Sequence, residues 1–272
     1  MPVTTTAQGL PQWRRRTPLG DLVVWAGWLA ALALTVACFE FISERTIWDF
    51  VWDAPQQGAD LINRMLPPAW SYADRLWKPM WDTINMATLG TLLAVALGFP
   101  LAFLAAHNTT PSVLLVRPVA LFVIVASRSI NSLIWAMILV IVLGPGTLAG
   151  ILAIALRSLG FIGKLLYEAI EEIDPAQVEA VTATGASGAQ VLGWGIVPQV
   201  LPAFAGISVF RWDINIREAT VLGLVGAGGI GMELQASVGT LAWPQVTMIF
   251  ILIFATVLVS EWVSARVRHA VI

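Results

Sequence analysis

Between Ala180 and Phe210 the chain carries no charged side chain, and four further runs are equally free of charge: 22–39, 83–106, 129–156 and 234–260. A helix of about 20 apolar residues crosses the hydrocarbon core of a bilayer, so runs of this length constrain the fold more than any other feature. A soluble chain would carry roughly one charged residue in four. Here 12% of residues are charged and 58% are hydrophobic, which excludes a soluble domain. Strands of a membrane barrel would alternate in polarity, and these runs do not. The chain reads as all-α and integral to the membrane. The run from Ala180 is nonetheless unlike the others. Glycines at 185, 188, 193 and 195, followed by Pro198 and Pro202, break a plain spanning helix.

The basic start "WRRRTPLGDLVVWAGWLAALALTVAC" has the outline of a signal peptide, and its Ala-Cys ending that of a lipoprotein site. The apolar run is too long for a signal h-region, and Thr35 stands where a lipoprotein site wants leucine. It reads as a first transmembrane helix over about 20–42, with Arg14, Arg15 and Arg16 holding the N-terminus in the cytoplasm. Residues 43–80 then read as an exterior segment, its Trp48, Trp52, Trp70, Trp77 and Trp81 suited to an amphipathic stretch in the interface. Five more spans follow, at about 82–106, 117–142, 147–168, 199–222 and 243–265. "GPGT" at 144–147 is a tight exterior turn. Six spans place both termini in the cytoplasm, consistent with Arg266 and Arg268 in the tail. Cys38 has no partner for a disulfide, and His107 and His269 form no cluster with metal-ligand spacing, so no metal site is expected.

On this topology residues 169–198 are cytoplasmic. Asp174, Pro175 and Gln177 read as a capping box with proline at the first helical position, and Gly185 as the stop of the short helix so begun. Ser187 with Gln190 repeats the signature, and Pro198 closes the second short helix. The segment is two short helices joined by a glycine elbow, able to press on a partner; the plainer reading is an interfacial connector touching only headgroups.

Glu179, Ala180, Ala183, Gly185, Ile196, Val197, Pro198, Leu201 and Pro202 resemble the EAA loop of ABC importer permeases, with EAVTATG for the strict Glu-Ala-Ala and Val197 where leucine is common. "SRSINSLIWA" at 127–136, "GKLLYEAIEEID" at 163–174, "GIVPQVLP" at 195–202 and "FRWDINIREATVLGLVGAGGIGMEL" at 210–234 are more specific. Together they resemble the permease subunit of phosphonate ABC importers over about residues 80–265. The resemblance implies the type I importer permease fold with six transmembrane helices per protomer: an N-terminal part, 1–80, and a permease core, 81–268, with the coupling loop at about 174–198. It implies a bacterial inner-membrane protein importing phosphonate or a related phosphorus oxyanion, with phosphate, phosphite or another small anion as the alternative. The implied partners are a second copy of the chain, two ATPase subunits docked on the elbow, and an extracytoplasmic binding protein; no nucleic acid is expected. ATP and Mg would sit on the ATPases. Glu179, Ala180, Ala183, Gly185, Ile196 and Pro198 would couple ATP-driven closure to the pore, as a helix in a groove driving rigid-body rocking.

Charges inside the spans suggest the cargo. At about 1.5 Å per residue, Arg128, Arg157 and Arg211 fall roughly 15–18 Å into their helices, near the midplane, and Arg217 lies further toward the exterior. Asp213 pairs with Arg217 at i,i+4, while Arg211, Asn215 and Glu218 share another face. Intramembrane charge is costly and marks pathways, and the guanidinium fork suits tetrahedral oxyanions. The expected pathway is Arg128, Ser129, Asn131, Arg157, Arg211, Asn215 and Arg217. The competing reading is that these arginines only lock helices together.

Other chemistries fit less well. "SLGFIGKLL" has Ser158 in place of the first Walker A glycine and Leu165 in place of the magnesium-binding hydroxyl, so no ATP site, and no enzyme, is expected in this chain. "GAGGIG" at 226–231 satisfies G-x-G-x-x-G, but an uncharged span follows where a dinucleotide fold needs an acid. Gly226, Gly228, Gly229 and Gly231 read instead as an exterior turn folded tightly into the dimer interface, as membrane-depth irregular backbone must be. A phospholipid-modifying enzyme would need denser acids in the spans than Asp213 and Glu218. A channel or secondary transporter would need no cytoplasmic docking loop.

Overall fold

The computed structural model describes residues 3–5, 11–13 and 18–271. Arg14, Arg15 and Arg16 lie outside the described residues. The chain divides into two compact units, 1–62 and 63–272.

In the first unit, β1 (Val3–Thr5) pairs antiparallel with β2 (Pro11–Trp13); among the described residues all other regular elements are helical. Helix α1 (Pro18–Arg45) has none of its apolar window buried, as expected of a helix whose solvent is lipid. Trp48 Nε1 donates to Ser43 Oγ at 3.0 Å and closes the corner into α2 (Trp48–Met65). There Trp48, Val51, Trp52, Ala59 and Ile62 follow helical spacing on one stripe, and Asp49, Asp53 and Asp60 occupy the opposite face.

The second unit continues through a 3-10 turn, Trp70–Tyr72, into α3 (Ala73–Ala105). This helix starts well before the expected 82, so Trp77 and Trp81 ride on a spanning helix and not on a separate interfacial stretch. Asp74, Arg75 and Lys78 disguise its first turns, yet Leu76, Met80 and Thr83 already repeat at helical spacing and are buried. The next expected span, 117–142, is two helices: α4 (Val116–Ser129) and α5 (Ser132–Leu143), bent by 89°. Ile130 and Asn131 are extended between them, and the Asn131 side chain accepts from Leu133 N at 3.1 Å. Asparagine caps a helix start better than it continues one.

After Gly144 (φ +88°) and Gly146 (φ +152°) turn the chain, α6 (Thr147–Glu171) runs through the middle of the unit, packed on α3, α4, α5 and the later α9. Its neighbours approach closely because the contact residues are small. A Cβ at Gly90 of α3 would lie 2.7 Å from Ile154, and one at Gly160 of α6 would lie 2.5 Å from Ile124 O. Ser127 Oγ donates to Leu156 O and accepts from Gly160 N, pinning α4 to the same helix.

The elbow comprises α7 (Pro175–Ala183), Gly185 at φ +80°, and α8 (Gly188–Gln190). Two details depart from expectation. Asp174 caps α7 through Ala176 N, but its own N–H is satisfied by Gln199 and not by Gln177, so the box is completed from another helix. Pro198 does not close the second short helix. Residues Val191–Ile196 form a π turn that leads directly into α9 (Val197–Leu222), and Pro198 lies in the first turn of α9, where its missing N–H is not needed. The Ser187–Gln190 capping box is formed.

A 3-10 turn, Gly223–Val225, and the glycines after it lead to α10 (Ile230–Gly239), a helix the sequence pattern did not separate from the connection, and then to α11 (Trp243–Val271). Among the described residues, five helical stretches are long and apolar enough to span a membrane, and the bent α4–α5 pair is a sixth candidate.

Candidate functional site

Helices α3, α6 and α9 meet through buried polar groups. Arg211, 3% exposed, donates from Nε to Ser158 Oγ at 2.9 Å; Ser158 donates to Asn215 Oδ1 at 3.0 Å; and Asn215 Nδ2 donates to Thr91 Oγ1 at 2.7 Å. The Arg211 guanidinium lies over the Phe161 ring at 5.0 Å. One carboxylate oxygen, Glu218 Oε1, accepts from Arg211 Nη2 at 3.2 Å and from Arg157 Nη1 at 2.9 Å. Its other oxygen, Oε2, is buried without a hydrogen-bond partner. Arg157 Nη1 also reaches Ser132 Oγ at 3.3 Å, tying α6 to the first residue of α5. Arg217 pairs with Asp213 one turn back on α9, and Asp213 accepts from Ser260 Oγ of α11 at 2.7 Å.

A cavity of about 320 Å³ opens beside this network, lined by Asn131, Ser132, Arg157, Arg217 and Glu218 among others. Of the expected pathway residues it gathers Asn131, Arg157 and Arg217. Arg211 and Asn215 stand behind it in the helix packing. Arg128 and Ser129 sit in the exposed last turn of α4, off the cavity wall, and Ser129 Oγ only back-bonds to Val125 O. Ser132 and Glu218 line the cavity without having been assigned to it from sequence. Asn-Ser at the head of an apolar run is a helix-start signal, and it could have drawn Ser132 in. Around the cavity and the network behind it, the three guanidiniums Arg157, Arg211 and Arg217 face two carboxylates, Asp213 and Glu218. The balance is positive, in a setting where uncompensated charge is expensive, and the start of α5 adds the positive end of a helix dipole.

The second candidate region is the elbow. No residue of α7 is buried, and Glu179, Ala180, Ala183 and Gly185 are all exposed. A hollow of about 580 Å³ there is walled by Ala180, Val181, Gly185, Gln190 and Trp194, the last 77% exposed. Ile196 and Pro198 lie at its root: Ile196 is buried beside Ala102, Leu166, Ile170 and Val200. The glycine turn is a third tight element. Gly226, Gly228 and Gly229 have positive φ, and Ile230 N donates to Thr83 Oγ1 at 2.8 Å. Gly146 N donates to Gly226 O, so the close contacts these glycines permit are made within this one chain.

A polytopic helical bundle with an open cavity walled by charged side chains and a protruding helical elbow has the architecture of the membrane-spanning subunit of a transporter. The chain belongs to the family of binding-protein-dependent transport system inner membrane components, whose pattern it matches over residues 98–270. It is thus an ABC transporter permease subunit, a multi-pass inner-membrane protein without an ATPase site of its own. It is 42% identical over 211 residues to the phosphite transport system permease protein PtxC of Stutzerimonas stutzeri, covering 77% of this chain and 76% of that one. It is 39% identical over 258 residues to the phosphate-import permease protein PhnE of Mycolicibacterium smegmatis, covering 93% of this chain and 48% of that longer protein. Its fold is similar to the permease fold of an inward-facing MetNI methionine ABC transporter, with a TM-score of 0.63 at 20% identity over 72% of this chain and 96% of that one.

Proposed function

We propose that the chain forms the translocation pathway of an ATP-driven importer for a small phosphorus oxyanion, with phosphonate, phosphite and phosphate as the candidate cargoes. The observation that carries this reading is the surplus of guanidinium over carboxylate at a cavity walled by the α4–α5 break, α6 and α9. Guanidinium forks match tetrahedral oxyanions, and a broken helix whose second half points its N-terminus at a cavity is a recurrent anion site in transporters. The relatives named for phosphite and phosphate supply the phosphorus class.

The test is uptake into proteoliposomes containing the permease, its ATPase and its binding protein. Arg157→Gln should lower uptake of labelled phosphonate or phosphite by about tenfold or more, the loss of a charge-assisted hydrogen bond, while the complex still melts cooperatively. Unchanged uptake would remove Arg157 from the pathway. Lost uptake with a collapsed melting transition would favour the helix-locking role.

In the same reading the elbow docks on an ATPase that holds ATP and Mg, the working unit contains two copies of this chain and two ATPases, and both termini face the cytoplasm. Gly185 occupies a left-handed conformation with open space around it. Valine there costs roughly 1–2 kcal/mol of local strain and changes the angle between α7 and α8. Gly185→Val should therefore leave the permease inserted but lower copurification with the ATPase about tenfold and abolish transport. Wild-type assembly and uptake in this variant would refute the docking role. Native mass of the wild-type complex should show two permease copies, and a single copy would refute the dimer.

A further inference from the structure

In the structure the Glu218 carboxylate is shared unequally. Both guanidiniums bond the same oxygen, Oε1, while Oε2 is buried and unpartnered. The two arginines differ in what else holds them. Arg211 is 3% exposed and is fixed by Ser158 Oγ and by the ring of Phe161. Arg157 is 31% exposed at its side chain, lines the cavity, and has only the longer bond to Ser132 besides Glu218. An anion in the cavity can reach Arg157 and not the buried Arg211. When Arg157 turns to it, Glu218 still keeps Arg211 and is not left as an isolated buried charge. The third guanidinium, Arg217, has Asp213 as its own counter-ion.

From this asymmetry, and resting on the reading of the cavity as the oxyanion pathway, we propose that Glu218 is the resident counter-anion of the empty site: it holds Arg157 against α9 until an entering oxyanion takes its place on Arg157. The exchange does two things. It keeps the midplane guanidinium compensated in the absence of cargo, as an intramembrane charge requires. It also makes the α6–α9 tie, and through Ser132 the tie to the α4–α5 break, depend on whether cargo is present. Glu218 is thus a positioning residue that sets cargo affinity by competition.

The experiment measures phosphite binding to the detergent-solubilised permease–ATPase complex without ATP, by equilibrium dialysis with labelled phosphite beside a melting curve. Glu218→Gln keeps an oxygen for both arginines but removes the competing charge. It should bind phosphite about tenfold more tightly than wild type and turn over more slowly in proteoliposomes, because release from Arg157 is no longer assisted. Asp213→Asn removes an equal charge without touching Arg157 and should give at most a third of that gain. A role in packing alone would lower stability in both variants without raising affinity in either. Should Glu218→Gln not assemble, Glu218→Asp decides: its shorter side chain weakens the hold on Arg157 and should raise affinity by a smaller factor. Unchanged or weaker binding in the assembled Glu218 variant, or an equal gain in Asp213→Asn, overturns the counter-anion role. The pathway reading survives that result if Arg157→Gln loses phosphite binding. If Arg157→Gln binds phosphite as wild type does, Arg157 is not on the pathway, and the counter-anion role falls with it.

Discussion

Arg211→Met should lower the stability of the permease by about 1.5–3 kcal/mol, the loss of a buried hydrogen bond between charged groups, since Glu218 still keeps Arg157, and the double variant Arg211→Met/Glu218→Met should recover most of that loss. Arg211 is almost wholly buried and satisfies Glu218 on its own helix and Ser158 on α6. Without it, Glu218 has lost one of two donors on Oε1 and still has none on Oε2. Replacing both residues by methionine removes the charges together, which is often nearly neutral in an apolar setting. Transport should be impaired in the double variant even where stability is recovered, since Arg157, 31% exposed on the cavity wall, has lost Glu218 and keeps only Ser132 Oγ. The measurement is thermal unfolding in detergent for the single and double variants beside uptake. A single variant that melts like wild type would mean the cluster contributes nothing to the α6–α9 contact, and an unrecovered double variant would mean that packing, not charge, sets the cost.

Gly231→Val is expected to be at least as damaging, by a different route. A Cβ at this position would lie 2.2 Å from Thr220 O and 2.8 Å from Gly223 Cα. Both are backbone atoms, so no side-chain rotation relieves the overlap, and α10 would have to separate from the end of α9. Overpacking that only backbone movement can relieve lies at or beyond the upper end of the usual range, about 3 kcal/mol. Gly239, at the other end of the same helix, has nothing within 4 Å of its missing Cβ. Gly239→Val should cost under about 1 kcal/mol. The comparison is the yield of monodisperse protein after detergent extraction. Equal yields for the two variants would show that the crossing of Gly223 and Gly231 is not a structural requirement.

The spans were legible because charge is absent where lipid is the solvent: the gaps between Asp21 and Glu40, and between Asp82 and Arg157 apart from a few interruptions, mark helices without any knowledge of their neighbours. The elbow was legible from local chemistry at Asp174, Pro175, Gly185, Ser187 and Gln190. The 89° bend after Ser129 was not. Ile130 and Asn131 lie at the start of an apolar run, and hydropathy measures length while saying nothing of direction. Gln199 as the partner of Asp174 was equally hidden, because 25 residues of chain separate them. For the site, the sequence put Arg157 and Arg211 at similar depths, but the rotation of α6 against α9 decides which one meets the cavity. Glu218 was visible as an acid on the face of Arg211. That it also holds Arg157, 61 residues away, follows only from tertiary packing.

From Gly188 to Val225 the backbone is helical without a loop, and its lower end is clasped by Gln199, which accepts from Asp174 N and donates to Gly195 O at 2.7 Å. In mechanical terms it would serve as a shaft: were the elbow turned by a docked partner, as proposed above, the rotation would be carried toward Arg211, Arg217 and Glu218 through backbone that is helical throughout. The π turn at Val191–Ile196 is its one phase-setting joint. One residue more or less in a helix rotates everything beyond it by about 100°, so the single extra residue held in that turn fixes the angle at which the charged face of α9 is presented for any given orientation of the elbow.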